Sequence, residues 1–146
     1  MNKKEKEIIK YLRYGKRVNI SKIARDLHLP TSTVSDRIKR IEQKYVFKRS
    51  SILNFEKMGY FANAMIAAKI NQKQKKDFLN FLKSQKCINS IFFINSGFSF
   101  LFEIIFKDNL ELINWIEELK SNFNLELIQF QILKTENKEI FMEEEK

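Results

Sequence analysis

The stretch from Asn19 to Lys44, NISKIARDLHLPTSTVSDRIKRIEQK, leaves this chain few choices of fold. It holds two short apolar-periodic segments separated only by His28, Leu29 and Pro30. The first, Ile20 to Leu27, carries Ile23, Ala24 and Leu27 on one face, with Asn19 placed to cap it. The second, about Thr31 to Gln43, carries Val34, Ile38 and Ile41, the i, i+4, i+7 spacing of one stripe. Leu29 can plug the corner, and Ala24 is small where the helices must approach. The pattern predicts a helix-turn-helix whose second helix enters the DNA major groove.

At about 100° per residue, the face opposite that stripe presents Ser32, Thr33, Ser35, Asp36, Lys39 and Arg40. Hydroxyl and basic side chains contact phosphate oxygens and base edges. Thr31 and Arg37 join the DNA-binding set. Lys16 and Arg17 in the preceding loop, and Lys48 and Arg49 beyond the second helix, are phosphate candidates. An ordinary amphipathic helix pair with a solvated face is the bland alternative.

Charge sharpens the reading. The chain has 146 residues and a net charge of +9. Residues 1 to 60 hold 16 Lys+Arg against 6 Asp+Glu, whereas residues 61 to 146 hold 11 against 12. A basic nucleic-acid module joined to a near-neutral module is expected, divided at 60/61. The single cysteine, Cys87, precludes an intrachain disulfide and a multi-cysteine metal site. No metal, cofactor or catalytic residue is assigned. The start, MNKKEKEIIKYL, lacks a secretory pattern, and the most apolar stretch, Ile88 to Phe106, is interrupted by polar residues too often for a membrane span. A soluble, cytoplasmic protein is expected.

In chain order, residues 5 to 14 predict a first helix with Ile8, Ile9 and Leu12 inward, stopped at Gly15. Residues 48 to 53, KRSSIL, predict a strand, and Asn54 to Gly59 a capped helical turn. Beyond Tyr60 the pattern is strand Ala62 to Ile70, helix 72 to 86, strand Ile88 to Asn95, turn Ser96-Gly97 and strand Phe98 to Lys107. A helix capped by Asp108 and carrying Leu112, Trp115, Ile116 and Leu119 follows, then strand Leu125 to Leu133. Glu139-Ile140-Phe141 is a further short-strand candidate. The βαββαβ order predicts a ferredoxin-like sheet with two helices on one face. The fold class is α+β: a winged-type helix-turn-helix followed by this module. The other sheet face, apolar and uncovered, predicts a sheet-to-sheet homodimer.

The whole order resembles the Lrp/AsnC family of feast/famine transcription regulators, from about Lys4 to Phe141. YGKRVNISKIARDLHLPTSTVSDRIKRIEQKYVFKR resembles the family's helix-turn-helix, and SGFSFLFEIIF its central glycine turn and strand. The resemblance implies dimers, often octamers, that bind operator DNA and answer to small metabolites, usually amino acids. It implies an effector site near Ser96, Gly97, Phe98, Ser99 and Phe100. Three positions depart from the family. His28 stands where the inter-helix turn usually has Gly. Pro30 stands where a capping Ser is usual, so Thr31 is expected to cap. Gly97 leads to Phe98, Ser99 and Phe100 without reaching the usual aspartate, which points to an apolar effector or to none. Two other functions fit parts of the chain. A low-specificity DNA packer would use the same charge, and siroheme decarboxylases share the architecture. The only histidine, His28, lies outside the second module, which counts against tetrapyrrole chemistry.

Overall fold

The computed structural model describes residues 2–14, 18–95 and 97–141. The chain divides into two compact units: Met1–Ile52 with Asn137–Lys146, and Leu53–Glu136.

The first unit holds α1 (Lys3–Tyr14), α2 (Ile20–Leu27) and α3 (Thr31–Tyr45). Helix α1 begins two residues before the expected start because Asn2 and Glu5 cap it reciprocally. The Glu5 amide donates to Asn2 Oδ1, and the Asn2 amide to the Glu5 carboxylate, each at 2.8 Å. Ile8, Ile23, Ala24, Val34, Ile38 and Ile41 form the buried core, with Leu27 and Leu29 packed against it. The expected stop at Gly15 lies outside the described residues.

Two expected strands do not form. Residues 48–53 have no ladder partner; strand-like sequence makes a strand only where a neighbour accepts its hydrogen bonds. Residues 139–141 turn instead, with Glu139 at φ +60°. Their backbone is claimed by α1. Arg13 Nη2 donates to the Glu139 carboxylate at 2.7 Å and to its carbonyl at 3.2 Å. The Tyr14 hydroxyl hydrogen-bonds the carbonyls of Glu139 and Phe141.

The second unit opens with a 3-10 turn, Glu56–Met58. Asn54 Oδ1 accepts from the Lys57 amide at 3.0 Å, and Gly59 closes the turn at φ +86°, where a Cβ would be strained. Then come β1 (Ala62–Ile70), α4 (Lys75–Ser84), β2 (Ile88–Phe93), β3 (Phe100–Phe106), α5 (Asn109–Asn122) and β4 (Leu125–Gln131). The sheet is antiparallel throughout, in the order β2-β3-β1-β4, which is the ferredoxin-like arrangement. Helix α4 is shorter than expected because Gln72–Gln74 wind as a 3-10 turn, whose last amide donates to the Asn71 side chain. Asp108 caps α5 as expected, accepting from the Glu111 amide at 2.9 Å.

Alternation sorts the two sheet faces. Ala62, Ala64, Ile66, Ala68 and Ile70 of β1 and Phe100, Phe102 and Ile104 of β3 face the helices and are buried. The register sets small against large: Ala64 opposes Ile104 and Ala68 opposes Phe100. That leaves room for Phe78 of α4, whose ring lies 5.3 Å from Phe100 and 5.1 Å from Phe123. On the other face, Phe92, Leu101, Ala67 and Ile128 form a cross-strand row, with Met65 and Phe130 beside it. Phe92 and Phe130 are exposed. The face is less uniformly apolar than its sequence suggests. Glu103 is buried in it, accepting from the side-chain amides of Asn63 and Asn89.

The β2–β3 connection is longer than the Ser96-Gly97 turn expected. Strand β2 stops at Phe93 and β3 starts at Phe100 because the Ser99 amide donates to the Ala68 carbonyl at 2.9 Å, and the Ile94 amide to the Ser99 carbonyl. Strand β4 ends at Gln131, short of Leu133, which is exposed.

Candidate nucleic-acid interface

Three local devices fix the angle between α2 and α3. Asn19 Oδ1 accepts from the Lys22 amide at 2.9 Å and caps α2. His28 takes the left-handed conformation at φ 51°, ψ 53°. Its amide donates to the Arg25 carbonyl at 3.2 Å, and the Leu29 amide to the Ala24 carbonyl at 2.9 Å. This is a Schellman closure built on histidine where glycine is commonest. His28→Gly is therefore expected to stabilise the first unit by about 1 kcal/mol, checked by the urea midpoint of its helical signal.

The third device is Pro30, at φ −59°, ψ 144°. Its carbonyl accepts from the Val34 amide at 3.1 Å, so Pro30 itself precedes the helix and Thr31 is the first helical residue. The expectation that Thr31 caps is corrected. Proline fixes an extended conformation one residue earlier, and it has no side-chain oxygen to cap with. The first-turn amides of α3 are left without a side-chain cap, at the end of the helix that favours anions.

The outward face of α3 carries Thr31, Ser32, Asp36, Lys39 and Arg40, all exposed. Thr33, Ser35 and Arg37 lie on the flanks, half-buried. Arg37 falls nearer the core stripe than its charge suggests. Lys48 is exposed, but Arg49 pairs with Glu42. Lys16 and Arg17 lie outside the described residues. One further group emerges only in three dimensions. Ser21, Arg25 and His28 line a shallow groove with Pro30 and Thr31 at the start of α3. The outward positions of Ser21 and Arg25, one turn apart on α2, were the signal for it.

In the second unit the Gly97 turn is partly as expected. Gly97 sits at φ +85° in open space. Phe98 and Ser99 are half-buried, and Ser96 lies outside the described residues. Phe100 is fully buried against Phe78 and Phe93, so it belongs to the helix-side core rather than to an open site. Among the described residues no His, Cys, Asp and Glu side chains gather in threes to hold a metal. No helix there is long and apolar enough to cross a membrane.

A helix-turn-helix followed by a ferredoxin-like sheet module defines a two-module class of DNA-binding protein. Residues 1–44 match the winged helix-turn-helix DNA-binding family. An uncharacterized HTH-type transcriptional regulator of Pyrococcus furiosus is 28% identical over 133 residues, spanning 86% of this chain and 82% of its own. Among solved structures, the leucine response regulatory protein LrpA of Mycobacterium tuberculosis superposes with a TM-score of 0.82 at 20% identity, covering 94% of this chain and 96% of its own. AsnC of E. coli does so with a TM-score of 0.83 at 13% identity, covering 94% and 95%. The chain is a helix-turn-helix protein with the Lrp/AsnC fold.

Proposed function

We propose that this protein is a sequence-specific DNA-binding transcriptional regulator of the Lrp/AsnC type, working in the cytoplasm as a homodimer or octamer. The first unit, up to Ile52, reads DNA; the sheet unit, Leu53–Glu136, self-associates and receives a small metabolite, so the expected division at 60/61 moves to 52/53. The observation that carries the reading is the outward face of α3. A helix locked into a helix-turn-helix presents Ser32, Asp36, Lys39 and Arg40, with an uncapped N-terminus, in the half of the chain that holds the excess positive charge. The row Phe92–Leu101–Ala67–Ile128 supports a second copy as the partner of the open sheet face. A two-fold dimer would read half-sites about one helical turn apart. The reading assigns no catalytic residue; His28, the only histidine, is exposed in the helix-turn-helix.

The test is recovery of sheared genomic DNA by the purified protein at about 150 mM salt, where non-specific binding is weakened. Enrichment of a few sites sharing a two-fold motif is expected. Uniform recovery would replace the regulator with a low-specificity packer.

Two substitutions probe the face itself. Arg40→Ala should weaken specific binding by roughly 1–3 kcal/mol if the side chain reads a base. Asp36→Ala should do the reverse for random DNA. It removes a negative charge from the phosphate-facing surface, so random-sequence affinity rises while the operator-to-random ratio falls. Anisotropy titrations on both DNAs check each.

A further inference from the structure

We infer that the cavity between the Glu56–Met58 turn and the α4–β2 corner is a binding site for a small apolar monocarboxylate. Its volume is about 220 Å³, below the range of drug-sized sites, so it suits a compact ligand. One wall is Phe55, Met58 and Tyr60 from the segment that leaves the first unit. The other is Cys87, Ile88 and Ile105, where β2 begins and β3 ends.

Both walls are held by backbone hydrogen bonds. The Tyr60 amide donates to the Phe55 carbonyl, the Phe61 amide to the Lys107 carbonyl, and the Ile105 amide to the Cys87 carbonyl, at 2.9 to 3.1 Å. Trp115 Nε1 donates to Gln85 Oε1 and steadies the corner. The site is therefore preformed and keeps the cost of ordering low.

Lys86 is the one charged side chain of the lining, and Tyr60, Cys87 and Asn89 bring further polar atoms. Lys86 is exposed at the rim and forms no ion pair among the described residues. Asn89 lies beside it, its amide nitrogen given to the buried Glu103. An apolar body with one anionic group matches an aromatic and aliphatic lining that carries a single cation. Burial pushes the Cys87 thiol from 9.0 up to about 11, in keeping with that lining. The site is distinct from the Gly97 turn, at the opposite end of β2 and β3. Because its wall at Phe55 lies three residues past Ile52, where the first unit ends, occupancy there is expected to alter DNA affinity. That consequence, and not the binding itself, rests on the regulator reading.

Cys87 is the chain's only cysteine and reports on the cavity directly. The experiment follows its alkylation by iodoacetamide on the full-length protein, with phenylacetate or its neutral amide as probe. At about 10 mM, enough to fill a site of about 1 mM Kd, phenylacetate should slow alkylation several-fold and phenylacetamide should not. Lys86→Gln, a surface change, should raise the phenylacetate concentration needed about two- to fivefold. No protection by either probe would overturn the site, and equal protection by both would overturn the carboxylate class. DNA affinity of the probe-free protein is measured alongside. Its absence would sink the regulator reading and leave the thiol result standing.

Discussion

Val34→Asp is expected to abolish DNA binding while leaving the second unit folded. Val34 is fully buried among Ile8, Ile23, Ile38 and Ile41. A carboxylate placed there loses its hydration and gains no partner, at a cost of several kcal/mol. The described core of the first unit is six side chains, and small units have little stability to lose. The helical circular dichroism of α1 to α3 should fall, and affinity for operator and random DNA should drop about a hundredfold or more. Amide resonances from β1 to β4 should persist. A variant that bound operator normally would mean that α3 does not need this core to reach DNA.

Phe78→Ala is the corresponding lesion in the second unit. The ring meets Phe100, Phe102 and Phe123 at centroid distances of 5.3, 6.1 and 5.1 Å. Its removal should cost about 3–5 kcal/mol, the transfer of the ring plus the cavity left behind. Against a typical total of about 5–15 kcal/mol, that brings the unit to the edge of unfolding. Urea denaturation followed by Trp115 fluorescence checks it. A loss under about 1 kcal/mol would mean that α4 collapses into the space. The self-association proposed for the sheet should fail with it, while the first unit keeps its helical signal.

Much of this architecture is legible in the order of residues because the decisive ones act locally. Asn19 and Asp108 cap through their own side chains, and the α2 and β1 bounds fall where the apolar period starts and stops. Residues whose conformation depends on distant partners are not legible. KRSSIL reads as a strand, yet pairing is a property of two segments. Glu139 to Phe141 reads as a strand until Arg13 and Tyr14 take its carbonyls.

The site divides in the same way. Helical geometry places Ser32, Asp36, Lys39 and Arg40 outward from the sequence alone. It does not reveal that Glu42 engages Arg49, or that Arg25 and His28 meet Thr31 across a groove. Nor does alternation along FSFLFEIIF show which phenylalanines are open. Phe100, grouped with the turn by its neighbours, is sealed by α4, a segment far from it in sequence.

The cations of α3 and the apolar row across the open sheet face answer salt with opposite signs. Chloride added to the protein competes for phosphate and loosens DNA. Sulfate strengthens burial of apolar surface and would tighten the proposed contact between sheets. If a second copy covers the open sheet face as proposed, chloride should release DNA while leaving that contact in place, and sulfate should hold the two sheets together. DNA occupancy and subunit count would then respond separately to the ions present.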